Sequence, residues 1–125
     1  MLVFFFQKFL TFKFAKIYHK IKKLIDEGNC SFEHQREKNI RTLAALGILP
    51  EDIFQFLLEL TPQNYYRGPS TDYDTDEPDC IWEFGLTIDD REIYIKLKLL
   101  ENFVKDISFH FAENEIEFPF VENKN

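Results

Sequence analysis

The sequence has few of the residues that cross-link, break or redirect a small chain: 2 Cys, 4 Gly and 5 Pro among 125 residues. Cys30 and Cys80 lie far apart and form no CxxC or Cys/His cluster, which indicates free thiols in a reducing cytoplasm and disfavours a metal site. No Gly-rich phosphate loop, HExxH or GxSxG motif is present. We therefore expect a cytoplasmic protein without a cofactor, and metal-dependent and acyl-transfer chemistries lose most of their support.

Long apolar runs are also missing. The apolar stretch near the start covers only residues 2–6; Lys8 and Lys13 follow, and no small-residue cleavage site precedes Lys16. A membrane-spanning helix needs about 20 apolar residues, and a signal peptide needs a longer apolar region than this one. We expect neither a membrane partner nor export.

What the chain does contain is apolar bulk and unevenly distributed charge. Apolar residues make up 45% of it, with 15 Phe, which predicts one globular domain over residues 1–125. The net charge of −7 argues against a general nucleic-acid binder, but residues 1–45 carry an excess of basic side chains and residues 46–90 an excess of acidic ones. Much of the acid lies between Asp72 and Asp79. This segment is either a solvated loop or a screen over a basic face that a substrate or partner displaces.

Three helical stretches precede a sheet. Residues 1–28 predict an amphipathic helix, with an apolar stripe from Phe5 through Phe9 and Phe12 to Ile25, that ends at Gly28. A second helix is expected from Ser31, as its N-cap, to Gly47, and a third from Pro50 to about Leu60. The motif from Tyr65 to Pro69 predicts a sharp turn.

Alternating segments then predict strands over 81–88, 91–99 and 107–111. With one apolar row toward the core, including Trp82, Phe84, Ile107, Phe109 and Phe111, polar side chains share the other face: Glu83, Tyr94, Lys96, Lys98, Ser108 and His110. The predicted fold class is α+β, with N-terminal helices packed on a three- to four-stranded antiparallel sheet. Many antiparallel sheets have a solvated polar face without any chemistry, and this interpretation stays open.

An ordered set of short motifs resembles the MqsR-type toxins of bacterial toxin-antitoxin systems. It comprises Arg36, Lys38-Asn39, Thr42-Leu43, Leu46-Gly47-Ile48, Tyr65, Gly68-Pro69, Trp82, Phe84-Gly85, Ile93-Tyr94-Ile95-Lys96 and Ile107-Ser108-Phe109-His110. The resemblance covers a core of residues 31–120. It implies a RelE-like fold and an mRNA endonuclease that a cognate antitoxin inhibits, and it leaves open whether the ribosome is a further partner.

The resemblance also implies site residues. The Tyr-X-Lys pattern of the family corresponds to Tyr94 and Lys96, and its basic residue after Ser-Phe corresponds to His110. The amide that follows the family's Trp is replaced by Glu83, and its basic turn residue corresponds to either Tyr66 or Arg67. We expect Tyr66 and Lys98 to contact RNA.

These residues predict metal-independent transesterification of single-stranded mRNA. Glu83, or Tyr94 in its place, would deprotonate the 2′-hydroxyl. Lys96 and Arg67 would stabilise the phosphate, and His110 would protonate the leaving 5′-oxygen. The chief alternative is a non-enzymatic protein-interaction domain that uses the same sheet face or the acidic loop. A DNA-binding regulator is a weaker alternative, because acidic side chains on the third helix would face phosphates.

Overall fold

A computed structural model of the chain describes residues 2–120, with side chains described from Phe14 onward. Helices and strands follow in the order α1 (Leu2–Asp26), β1 (Cys30–Phe32), α2 (Glu37–Leu46), α3 (Ile53–Leu58), β2 (Tyr65–Asp72), β3 (Glu77–Ile88), β4 (Arg91–Leu99) and β5 (Val104–Phe111). Two short 3-10 turns, Pro50–Asp52 and Pro62–Asn64, flank α3. The Phe5, Phe9 and Phe12 side chains of the predicted apolar stripe lie outside the described residues.

The five strands form one mixed sheet in the order β1-β5-β4-β3-β2. Strands β2 to β5 pair antiparallel, and β1 pairs parallel to β5. The α+β class is confirmed, whereas the prediction of a three- to four-stranded antiparallel sheet is wrong in strand number and in direction.

The two strands that the sequence did not predict are the two edges of the sheet. Ser31, expected as a helix N-cap, lies in β1, and α2 begins only at Glu37. The expected turn at Tyr65–Pro69 is the first half of β2, which pairs irregularly with β3. Strand β1 has only three residues and is too short to show alternation. In β2, Pro69 is tolerated because an edge strand needs fewer hydrogen bonds than a central one.

The hydrophobic core lies between the inner face of the sheet and helices α1 and α3. Phe84, Ile95 and Phe109 are cross-strand neighbours in the centre of that face and are fully buried. Phe14 of α1 lies edge-on to Phe84, with ring centroids 5.8 Å apart. From α3, Ile53 and Leu57 are buried in the same cluster. The prediction that Trp82 and Phe84 join the core is confirmed.

A bulge in β5 changes the predicted inner row. Lys96 pairs with Ser108 but Leu97 pairs with Asp106, so Ile107 is the extra residue of the bulge. Asp106 therefore takes the core-facing place beside Leu97 that alternation assigned to Ile107, and Ile107 is only half-buried. Alternation cannot predict a bulge, because the signal depends on an unbroken period of two.

Helix α2 covers the part of β5 that β1 does not reach. The buried Asn39 side chain donates to the Ile107 carbonyl and accepts from the Phe109 N–H. One turn later, Thr42 Oγ1 accepts from the Phe111 N–H. These side chains satisfy backbone groups that a further strand would otherwise pair, and they fix the end of β5 that carries His110.

Candidate functional site

Strand pairing brings the predicted polar residues together on the outer face of the sheet. Glu83 lies between Arg67 of β2 and Lys96 of β4. In the adjacent row, Tyr94 pairs with Gly85 on one side and with His110 on the other. Four strands thus contribute to a patch that covers two neighbouring rows of residues on this face.

The centre of this patch is the carboxylate of Glu83, which is only 5% exposed. Arg67 donates to both of its oxygens, from Nε to Oε2 at 2.7 Å and from Nη2 to Oε1 at 3.1 Å. The Tyr94 hydroxyl also donates to Oε1. A bidentate arginine pair of this kind fixes both orientation and charge, so Glu83 holds Arg67 and Tyr94 in place.

The same contacts set the protonation states of the two partners. Burial, together with the Glu83 carboxylate, raises the pKa of the Tyr94 phenol well above its ordinary value. The hydrogen bond to Glu83 raises the pKa of the Arg67 guanidinium. At neutral pH, Tyr94 is therefore a hydrogen-bond donor and Arg67 a permanent cation.

Arg67 remains open to a ligand despite this pair. Its side chain is 63% exposed, and its guanidinium carries five N–H donors, of which Glu83 takes two. The guanidinium carbon lies 4.8 Å from the ring centroid of Tyr66. A bulge between Tyr65 and Arg67 allows Tyr66 and Arg67 to border the same pocket.

His110 lies beside Tyr94, with ring centroids 5.4 Å apart. Its Nδ1 is 2.9 Å from the Phe111 carbonyl oxygen, which assigns an N–H to that nitrogen and leaves Nε2 for a ligand. The side chain is half-buried. Its free ring nitrogen can exchange a proton with a bound ligand.

A pocket of about 270 Å³ opens over these side chains. Tyr66, Arg67, Tyr94 and His110 line one part of it. Lys38 of α2 and residues 112–116 of the chain after β5 line the rest. Lys38 forms an ion pair with Glu113 in this wall. Glu113 was not predicted, since a lone Glu in an irregular segment gives no sequence signal.

The segment after β5 crosses the sheet and closes one side of the pocket. A Cβ on Gly85 would come within 2.7 Å of both Ile116 and Phe118, so these side chains rest directly on the β3 backbone. Phe120 reaches Tyr65, with ring centroids 5.6 Å apart. Because Gly85 has no side chain, the segment can lie directly against the outer face of the sheet beside Tyr94.

The remaining predicted residues differ in availability. Lys96 lies in a second pocket, together with Arg67, Glu83 and Tyr94. Lys98, expected to contact RNA, instead donates to Asp72 Oδ2 at 2.8 Å and to Thr75 Oγ1 at 3.0 Å. Asp72, at the end of β2, thus pairs with a lysine of the sheet, and only residues 73–76 of the predicted acidic loop separate β2 from β3.

No protein-family model, curated protein or solved structure matches this chain. Membership of the MqsR-type family thus stays a prediction that rests on the motifs above. Among the described helices, none combines the length and the apolar character needed to cross a membrane.

Proposed function

We propose that this protein is a metal-independent endoribonuclease that cleaves single-stranded mRNA and acts as the toxin of a toxin-antitoxin pair. The observation that carries the proposal is the arrangement of Arg67, Tyr94 and His110 around one open pocket. RNA cleavage needs a cation that binds the phosphate, a neutral hydrogen-bond donor and a group that transfers a proton. The substrate supplies its own nucleophile, the 2′-hydroxyl. A RelE-like origin of the fold is part of the same proposal.

In this mechanism the 2′-oxygen attacks the adjacent phosphorus, and the bond from phosphorus to the 5′-oxygen breaks. Arg67 and Lys96 balance the charge that builds on the phosphate oxygens. The Tyr94 hydroxyl is oriented by Glu83 and lies at the pocket wall. His110 gives its proton to the leaving 5′-oxygen. The products are a 2′,3′-cyclic phosphate and a 5′-hydroxyl.

The base that removes the 2′-hydroxyl proton needs an accessible carboxylate or imidazole. Glu83 is nearly buried and already accepts from Arg67 and Tyr94, so a positioning role suits it better than proton abstraction. Glu113 borders the same pocket and its side chain is 58% exposed. Lys38 lowers the pKa of the Glu113 carboxyl, which keeps it ionised at neutral pH. We therefore assign the base role to Glu113.

The direct test is incubation of the protein with a mixed-sequence single-stranded RNA in EDTA, with analysis of the fragment ends. We expect cyclic phosphate ends from the wild type, and a turnover lower by about 10²- to 10⁴-fold in the His110→Gln variant. His34→Gln is the matched control, since His34 is exposed and away from the pocket. Equal rates for wild type and His110→Gln would remove His110 from the mechanism.

The base assignment has its own comparison. Glu113→Gln should lower turnover with little change in stability, whereas Glu83→Gln should lower both. If neither variant cleaves RNA less well than the wild type, neither Glu113 nor Glu83 acts as the base. If purified wild type does not cleave free RNA, the same assay with translating ribosomes separates a ribosome-dependent nuclease from a protein without this activity.

One observation favours the alternative, a protein-interaction domain. The tip of the β2–β3 hairpin exposes Tyr73, which is 86% accessible, among Asp74, Asp76 and Glu77. An exposed aromatic side chain with acidic neighbours suits a basic protein surface. Expression of the protein alone distinguishes the two, because an active toxin without its cognate antitoxin should arrest growth, and a binding domain should not.

A further inference from the structure

Two pockets on the outer face of the sheet lie side by side, and together they are called the groove. The first, of about 270 Å³, and the second, of about 340 Å³, both have Arg67 and Tyr94 in their walls. The Arg67 guanidinium thus lies at the junction, open to both sides. A ligand centred on Arg67 can extend in two directions along the face.

Besides the shared Arg67 and Tyr94, each half of the groove has one further tyrosine ring and one amine. The first half has Tyr66 and Lys38. The second half has Tyr73 and Lys96. Every nucleotide combines an anionic phosphate with a flat base, and single-stranded RNA is held by stacking on aromatic rings along a cationic track. One ring and one amine thus lie on each side of Arg67, with the Lys38 amine paired to Glu113 on the first side.

Charge at the far end of the second half decides which part of a nucleotide fits there. Asp72 and Asp74 line that end beside Tyr73. Carboxylates repel a phosphate but not the uncharged face of a base. The exposed ring of Tyr73 is therefore placed to receive a base, while the phosphates stay near Arg67 and Lys96.

We propose that this groove binds two successive unpaired nucleotides of RNA, one base against Tyr66 and the next against Tyr73, with the phosphate between them at Arg67. The proposal rests on the function proposed above and adds to it the minimal substrate, a dinucleotide step in a single strand. Duplex RNA should bind poorly, because paired bases cannot stack on side chains.

Binding is measured by fluorescence anisotropy with a labelled 2′-O-methyl hexanucleotide of mixed sequence, which has no free 2′-hydroxyl and stays uncleaved. We expect Tyr66→Leu and Tyr73→Leu each to weaken binding by about tenfold, since stacking on one ring contributes that order of affinity. Tyr73→Trp should restore wild-type affinity. Phe103→Leu is the control, because Phe103 is another exposed ring, located in the β4–β5 turn outside the groove.

Three results would overturn the proposal. They are no binding by the wild type, normal binding by Tyr66→Leu or Tyr73→Leu, and weakened binding by Tyr73→Trp. The outcome is separate from that of the proposed function. Cleavage of RNA with affinity independent of Tyr73 would leave the nuclease and remove the two-nucleotide groove. Binding that depends on both rings, without any cleavage, would leave the groove and remove the nuclease.

Discussion

The sheet buries one carboxyl group on each face, and only one of the two is hydrogen-bonded to other side chains. On the outer face, Glu83 is 5% exposed and accepts hydrogen bonds from Arg67 and Tyr94. On the inner face, Asp106 is 1% exposed, and neither of its carboxyl oxygens makes a hydrogen bond to a described residue.

The difference shows that a partner, and not burial alone, decides the charge of a buried acid. Burial raises the pKa of Asp106 well above its ordinary value, and the nearby Ser108 backbone N–H offsets only part of that rise. An unpaired carboxyl in an apolar core avoids the cost of desolvation by keeping its proton. Glu83 instead accepts hydrogen bonds from Arg67 and Tyr94, and it orients both of these side chains.

The largest expected effect comes from breaking the outer arrangement. Glu83→Gln removes the charge that holds Arg67 and Tyr94, and we expect the free energy of unfolding to fall by about 1.5–3 kcal/mol. Urea denaturation at neutral pH measures it. A variant as stable as the wild type would mean that the Glu83 ion pair contributes nothing to the fold.

The inner carboxyl should respond in the other direction. A group whose pKa is raised by folding makes the folded state less stable as the pH rises from its ordinary pKa, 3.8, toward the raised value. Asp106→Asn lacks this penalty, so it should be at least as stable as the wild type at neutral pH, with the advantage disappearing in acid. Urea unfolding across a pH series tests the prediction. A loss as large as that of Glu83→Gln would show that Asp106 has a stabilising partner.

A smaller effect is expected when only the neutral donor of the outer arrangement is removed. Tyr94→Phe deletes one hydrogen bond to Glu83 but leaves the ion pair with Arg67, so we expect a loss of about 1 kcal/mol. Thermal or urea unfolding provides the value. The double variant with Glu83→Gln should lose less than the sum of the two single losses, because the two side chains contact each other. Simple additivity would contradict this coupling.

The smallest effect concerns the half-buried pair of Asp72 with Lys98. The hydrogen bond from Lys98 lowers the pKa of Asp72 from 3.8 to about 2. A depressed acid contributes stability that is present above pH 3.8 and is lost as the pH falls through about 2. The wild type should therefore be slightly more stable than Asp72→Asn at neutral pH, and the gap should close in strong acid. A gap that persists at low pH would have another cause.

The sequence predicted the central part of the sheet well, and the edges poorly. In β4 the alternation is unbroken, and the buried residues Ile93, Ile95, Leu97 and Leu99 are those expected. Glu83, Tyr94, Lys96 and His110 share a face as expected. At the edges, β1 is too short to show a period, and bulges interrupt the pairing of β2 with β3.

The fold class and the polar face could be predicted from the sequence, because period-two alternation is a local property of each strand. Which carboxyl is paired depends instead on long-range contacts. The register places Arg67 beside Glu83, and the bulge at Ile107 turns Asp106 into the core. The fold also brings Glu113 and Lys38 to the border of the pocket. Such neighbours are distant in the chain, and they meet through strand pairing and helix packing that no local pattern encodes.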